Sequence, residues 1–412
     1  MKILHVNKYL YRRGGAEAYM DDLAALQRGA GHDVEFFGMA HPQNEPRTYE
    51  RHFPSYLELE PPPASLPGKL RGVGRMIWST SARRGIEEVV VDFAPDVVHL
   101  HNIYHHLSPS ILGPVEGRGI PAVMTLHDYK LACPTYRFLD HGRICEACLG
   151  GHFQQAVLRR CKDGSLTASS AMAFELFLHT ATHAYEGIRL FVCPSRFLAE
   201  KMAAAGVYPE RLRVLRHFVE TDGVPVKERA GGPVLFAGRL SHEKGVDTLI
   251  EAVGRLPGAE LHVAGDGPDL PRLESLAGRV ADGRVRFHGR VPKERLRVLF
   301  RESSVVAVPS RWYENQPLIV LEAFASGLPV VGTRLGGIPE LVSPGVDGDL
   351  APPDDAGALA ASLEPLLADP ERALAMGRAG RGKAEQEFSP ANHLAGLQRL
   401  YDEASAAAPV SR

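Results

Sequence analysis

The sequence predicts an α/β protein made of two doubly wound, Rossmann-like domains, and three observations lead there. The chain has 412 residues, roughly twice the usual length of a single domain. Short β-branched runs alternate with longer amphipathic stretches, as parallel strands joined by helical crossovers do. The alternation occurs twice, in two series parted by a stretch without periodicity.

The first series runs through Lys2 to Asn7, Asp33 to Gly38, Asp96 to Leu100, Ala122 to His127 and Leu190 to Pro194. The second runs through Val234 to Arg239, Glu260 to Gly265, Val285 to Gly289, Val305 to Pro309 and Pro329 to Gly332. Between them Glu220 to Pro233 is rich in Gly, Pro and charge and reads as a linker, with the boundary at Thr221. The expected domains are therefore residues 1–221 and 222–389. A terminal segment, 390–412, holds an amphipathic stretch from Pro390 to Ala407 that can pack back on the first domain. Glu45 to Gly68, with Pro61, Pro62 and Pro63 in a row, is expected to be a long loop.

Composition excludes other classes. With 44% hydrophobic and 23% charged residues the chain is globular rather than disordered. A net charge of -2 argues against binding nucleic acid. The start, Met1 to Asn7, lacks the long apolar run of a secretory signal, and no segment reaches membrane-spanning length. A cytoplasmic location is expected, with the five cysteines reduced.

The densest chemical signal is Glu314 to Gly327, directly after the strand that ends in Pro309-Ser310. Pro317 suits the first turn of a helix, where its missing N–H costs nothing. Glu314 then lies in a loop and Glu322 inside an apolar helix, where a charge is costly unless a ligand hydroxyl or a buried arginine meets it. The helix start also offers free N–H groups to a phosphate. A second signal is the strand and loop Phe236 to Gly245. Arg239 and Lys244 stand at its carboxyl end, where open α/β sheets collect ligands, and two cations there can hold a diphosphate. Taken alone, such residues are usually just solvated.

Together these segments resemble the family 4 retaining glycosyltransferases (glycosyl transferases group 1), which have the GT-B fold. The resemblance rests on Glu314 and Glu322 at E-x7-E spacing, Gly238-Arg239 with Lys244-Gly245, Val263 to Pro268 with its Gly265, and Gly336 to Glu340, all in order. It covers almost the whole chain. It implies two domains facing across a cleft and transfer of a sugar from a nucleotide diphosphate sugar to a hydroxyl acceptor, sugar or lipid-linked, in polysaccharide or glycolipid synthesis. No catalytic cofactor is implied. By the same resemblance Glu322 holds the ribose, Arg239 and Lys244 the diphosphate, and backbone near Arg290 and Val291 the base. Glu314 meets the donor sugar, in a loop continued by Asn315, Gln316, Pro317 and Leu318. Asn315 and Gln316 stand where the family often has glycine and phenylalanine, so the sugar itself is left open.

In the first domain Gly14-Gly15 forms a tight turn after the first strand, which the resemblance places near the donor phosphates. His127, at the end of a later strand, matches the family's active-site histidine. Alternation puts His99 and His101 on one face of a strand end, with His105 and His106 in the loop after it, and all four are expected to line the acceptor side. No pair of carboxylates flanks a bond as hydrolases require. The implied chemistry is front-face transfer with retention, in which Arg239 and Lys244 neutralise the leaving diphosphate.

Cys133, Cys145, Cys148 and Cys161 form C-x11-C-x2-C-x12-C within an insert at 133–161. A close pair flanked by two single cysteines can close a tetrahedral thiolate site, so a structural zinc is expected, with an iron–sulfur cluster second and plain reduced thiols as the alternative. Cys193 reads as core. Lys69, Arg71, Arg75, Arg83 and Arg84 surround Met76-Ile77-Trp78 without an acid and suit peripheral contact with an anionic inner membrane face, or an ordinary solvated helix face. Two rival functions stay open: a nucleotide-sugar epimerase of the same fold, and a noncatalytic nucleotide-binding protein.

Overall fold

Strands of a parallel sheet are covered by helices on both faces, so their side chains are apolar almost without interruption. A computed structural model describes residues 1–58 and 65–407 and contains two such sheets. Pro61 to Pro63 and the residues after Ala407 lie outside the described residues.

The first sheet is built from β1 (Lys2–Val6), β2 (Asp33–Phe37), β3 (Val97–Leu100) and β4 (Ala122–Thr125). A two-residue hairpin, β5 (Leu139–Asp140) and β6 (Arg143–Ile144), interrupts it before β7 (Leu190–Cys193) and β8 (Leu212–Val214). The order is β2-β1-β3-β4-β7-β8, every neighbour parallel. The second sheet comprises β9 (Val234–Ala237), β10 (Leu261–Ala264), β11 (Val285–Gly289), β12 (Val305–Val308), β13 (Val330–Thr333) and β14 (Gly348–Ala351). Its order is β11-β10-β9-β12-β13-β14, again all parallel. Both are doubly wound, Rossmann-like orders. The direction of winding reverses between β1 and β3 in one sheet and between β9 and β12 in the other, and ligands of such folds sit beyond the carboxyl ends of the strands at that reversal.

Two compact units result: Met1–Phe138 with Cys145–Leu215 and the residues from Leu394 onward, and Leu139–Ile144 with Arg216–His393. The division therefore falls between Leu215 and Arg216, ahead of Thr221. The Gly- and Pro-rich stretch after it is held along the second unit. Lys227 donates its backbone N–H to Ser326 O at 2.9 Å and its ammonium to Gly231 O and Arg301 O at 2.9 and 3.1 Å. The helix Pro390–Ala406 crosses from one grouping to the other. From Leu394 on it completes the first unit, with Leu397, Tyr401 and Ala404 buried and Arg213 paired to Glu403 at 2.6 Å.

Period-two alternation sorts the second unit's core onto the two faces of its sheet. Val234, Phe236 and Val263 join Leu249 and Val253 of one helix layer, whereas Leu235, Val306 and Val308 join Leu321 and Phe324 of the other.

The first unit also buries charge. Glu175, on the helix Leu166–Ala181, is fully buried; it accepts from Lys130 Nζ at 2.8 Å and from His105 Nδ1 at 3.1 Å. Burial opposes ionisation of this carboxyl, yet these neighbours hold it well below the usual carboxylate range. Burial pushes His105 itself down to about 4, so near neutral pH it is a neutral donor and Lys130 supplies the charge. Lys130→Met is expected to strand the carboxylate and lower stability by about 3–5 kcal/mol in urea denaturation, with most of the loss recovered by adding Glu175→Gln. A single variant as stable as the parent would remove Lys130 as the counter-ion.

Candidate active site

In the second unit the residues singled out by sequence gather at the carboxyl edge, around the reversal between β9 and β12. The loop after β9 carries Gly238 and Arg239 and closes into the short helix His242–Lys244. The loop after β12 carries Ser310 to Pro317 and opens the helix Leu318–Ala325. Glycines let neighbouring loops press together backbone to backbone. Gly265, after β10, has φ +144°, and a Cβ there would fall 1.8 Å from Gly238 O. A Cβ on Gly337, after β13, would fall 1.8 Å from Asn315 O, and its N–H donates to Glu314 O at 2.7 Å. The Glu314 loop is thereby propped from behind.

Glu314 is buried, and its Oε1 accepts from Lys244 Nζ and from Ser310 Oγ, each at 2.7 Å. Burial works to raise this carboxyl, but the Lys244 ammonium and the hydrogen bonds made to the carboxylate outweigh it and leave it below its ordinary value. Arg239 is exposed, and among the described residues nothing binds its guanidinium. A buried anion held by a cation, beside an unengaged second cation, is an arrangement able to accept an anionic ligand by exchange of partners.

Other expected residues fall differently. Pro317 caps the helix in extended backbone, and the first turn begins at Leu318, so the free N–H groups belong to the residues from Leu318 on. Gln316 is buried and its Oε1 accepts from His217 N at 2.6 Å, so its carbonyl serves the fold rather than a ligand. Glu322 is only half-buried, between the buried Leu321 and Ala323, because its position turns toward the rim of the helix. It is not sealed within apolar surroundings. Arg290 is exposed and Val291 packs on the core, both just past β11, whose Gly289 O accepts from Gly265 N at 2.8 Å.

In the first unit Gly14 is extended and caps the helix Gly15–Gly29, and both glycines are exposed. His127 is half-buried past β4, and burial pushes it down to about 3, so it is neutral near pH 7. His99 and His101 are fully buried under the sheet edge instead of lining an acceptor surface, and His106 is buried as well. Both faces of β3 are buried, and alternation alone does not reveal how far past the strand that cover extends. Sequence reasoning missed a further group beside His127. Asp128 accepts from the Tyr104 hydroxyl and, at 2.9 Å, from Lys130 N. Burial pushes it up to about 6 against the pull of Lys8, and burial brings Lys8 down to about 8. Lys8 Nζ stands 3.9 Å from the Tyr104 ring centre. The available signal was position, since Lys8 follows β1 at the reversal of winding.

The four insert cysteines are free thiols, Cys133 and Cys148 buried, Cys145 and Cys161 partly so. Cys148 packs with Phe153, Ala156 and Leu176, with Cys161 against the same cluster. Burial, and then its neighbours Cys133, Cys161 and Cys145, push the Cys148 thiol up to about 12. Among the described residues, the one set of three possible metal ligands with donor atoms mutually within 4.8 Å is His5, His99 and His101. The basic stretch is divided. Arg71, Arg83 and Arg84 are exposed, and Trp78 is 53% exposed, but Met76 is buried and Arg75 Nε donates to His106 O at 3.0 Å. Arg75 and Met76 thus face the interior, while Arg71, Trp78, Arg83 and Arg84 stay on the surface. No helix among the described residues is long and apolar enough to cross a membrane.

Comparison with known proteins gives the family and the fold. The model of glycosyltransferase family 4 matches residues 13–222, and that of glycosyl transferases group 1 matches residues 232–369. The chain is 35% identical over 186 residues to a lipopolysaccharide core biosynthesis glycosyltransferase of Rhizobium meliloti, covering 43% of this chain and 54% of that one. It spans about half the length of several curated relatives it matches. Among solved structures, sucrose-phosphate synthase of Thermosynechococcus elongatus superposes with TM-score 0.72 at 20% identity, covering 99% of this chain and 100% of that one. Anabaena HepE, solved with UDP and glucose, superposes with TM-score 0.68 at 18% identity, covering 98% and 100%.

The Lys244–Glu314 pair has a defined pH signature. A carboxyl held below its ordinary value contributes stability that is fully present above an unfolded value of about 4.3 and is lost as pH falls through the lower folded value. Lys244→Ala is expected to cost about 2 kcal/mol near neutral pH and progressively less below about pH 4. Urea denaturation across pH checks this, and a loss that does not vary with pH would show that Lys244 does not hold the carboxylate.

Proposed function

The chain belongs to glycosyltransferase family 4, and from that premise we propose that it is a retaining enzyme that takes its sugar from a nucleoside diphosphate donor. The observation that carries this reading is the exchangeable pair: Lys244 on Glu314 at 2.7 Å, with Arg239 unengaged on the same loop. An incoming diphosphate offers Lys244 and Arg239 a doubly charged partner. Glu314, released, becomes an acceptor for hydroxyls of the attached sugar. The helix start at Leu318 adds N–H donors for a phosphate oxygen. The UDP in Anabaena HepE supports a uridine donor, and the lipopolysaccharide relative supports an acceptor in cell-surface glycolipid or polysaccharide synthesis.

In the proposed reaction the bond from the anomeric carbon to the diphosphate oxygen breaks as the acceptor oxygen bonds to the same face of that carbon. The acceptor's proton passes to the departing phosphate oxygen, and Arg239 and Lys244 balance the charge that forms there. No cofactor enters these steps. Arg239→Ala is expected to lower turnover by about 10²- to 10³-fold with the melting temperature unchanged. Nucleoside diphosphate at about 100 times its Kd should stabilise the parent by about 2.7 kcal/mol and the variant much less. Near-normal turnover by the variant would overturn the assignment.

We also propose that Cys133, Cys145, Cys148 and Cys161 hold a structural zinc. The support is a close pair just after the β5–β6 hairpin, in a segment with little regular structure of its own, with Cys133 and Cys148 buried and Cys145 and Cys161 partly so. Elemental analysis of purified protein is expected to give about one zinc per chain, with chelation lowering the melting temperature. Metal-free protein of undiminished stability would end the proposal.

A further inference from the structure

A line of hydrogen bonds that starts deep in the first unit reaches His127. Gln27, on the helix Gly15–Gly29, lies with its Oε1 2.7 Å from His5 Nε2. His5 Nδ1 is 3.0 Å from His101 Nε2, and His101 Nδ1 is 3.0 Å from His127 Nε2. His5, His101 and Gln27 are fully buried. The far side of Gln27 is also anchored: its Nε2 donates to the Tyr401 hydroxyl at 3.1 Å. That hydroxyl lies 2.7 Å from His99 Nδ1, and His99 Nε2 lies 2.7 Å from Thr125 Oγ1. Both nitrogens of His5, His99 and His101 are therefore engaged by hydrogen bonds, and the trio needs no metal to account for it.

A neutral imidazole carries one N–H and one lone pair, so rings joined nitrogen to nitrogen cannot choose their tautomers independently. Burial holds His5 down to about 4, as it holds His127 low, which keeps these rings neutral near pH 7. With the Gln27 amide nitrogen committed to Tyr401, its oxygen requires hydrogen on His5 Nε2. His5 Nδ1 then accepts from His101 Nε2, and His101 Nδ1 accepts from His127 Nε2. Turning the amide over would reverse every bond in the line.

We propose that Gln27, His5 and His101 are positioning residues that set the tautomer of His127, with hydrogen on Nε2 and the lone pair on Nδ1. A lone pair at Nδ1 suits a hydroxyl donor, whereas the reversed line would put hydrogen there. Tyr401, from the last helix, anchors the amide by accepting from its nitrogen. What His127 then does rests on the glycosyltransferase reading; the tautomer does not, because it is read in ligand-free protein.

The test is ¹⁵N NMR of protein labelled in its histidine rings, without donor or acceptor. The parent is expected to show His127 bare at Nδ1 and protonated at Nε2. Gln27→Met and Tyr401→Phe, which remove the stop and its anchor, should each give a mixed tautomer, with kcat about tenfold lower and donor KM changed by less than about twofold. Tyr401→Phe keeps the test open if Gln27→Met fails to fold. A parent protonated at Nδ1, or variants that keep the parent's pattern, would overturn the proposal. A set tautomer in a chain that transfers no sugar would instead sink the enzyme reading and leave the relay standing.

Discussion

A carboxylate in the interior must find a cation, and at the carboxyl edge of the second sheet Glu314 finds Lys244. That one requirement orders the neighbourhood. Ser310 turns its hydroxyl to the same oxygen, and Gly337 donates to the Glu314 backbone from the loop behind. The pair joins two loops that leave strands on opposite sides of the winding reversal, which is where an open parallel sheet leaves a crevice. In the proposed function an anion entering that crevice would compete for Lys244 and free Glu314, making ligand binding and the exposure of an acceptor one event.

The first unit solves a similar problem with different groups. Lys130 neutralises Glu175 in the core, while Lys8 and Asp128 face each other's charge across Tyr104 near the sheet's edge. The same unit carries the histidine line, whose His5 and His127 are neutral because burial makes charge costly. Both ring nitrogens of His5, His99 and His101 are hydrogen-bonded, and such bonding specifies orientation as well as stability.

Much of the second unit's site was legible in the residues. Arg239, Lys244, Glu314 and Gly265 all stand at strand ends, and a strand end can be read from where an apolar run stops. The helix around Glu322 was legible too, but not its rotation, which leaves that residue at the rim. Gln316 looked like a ligand because it sits in the loop; its carbonyl is taken by His217 N, a partner remote in sequence. Arg75 looked like surface charge for the same reason, and its bond to His106 O shows the limit of reading one helix at a time.

The sequence by itself determined the two α/β units, five of the six strands of each sheet and the loops that carry charge, because periodicity and Gly/Pro punctuation are local properties of the chain; the edge strands β8 and β14 escaped it. Tertiary structure decided which groups meet. The joining of Lys244 to Glu314, of Gln27 through His5 and His101 to His127, and of Tyr401 to His99 unites residues far apart in the chain. Their protonation follows from burial and from partners, and neither exists until the sheets have been covered.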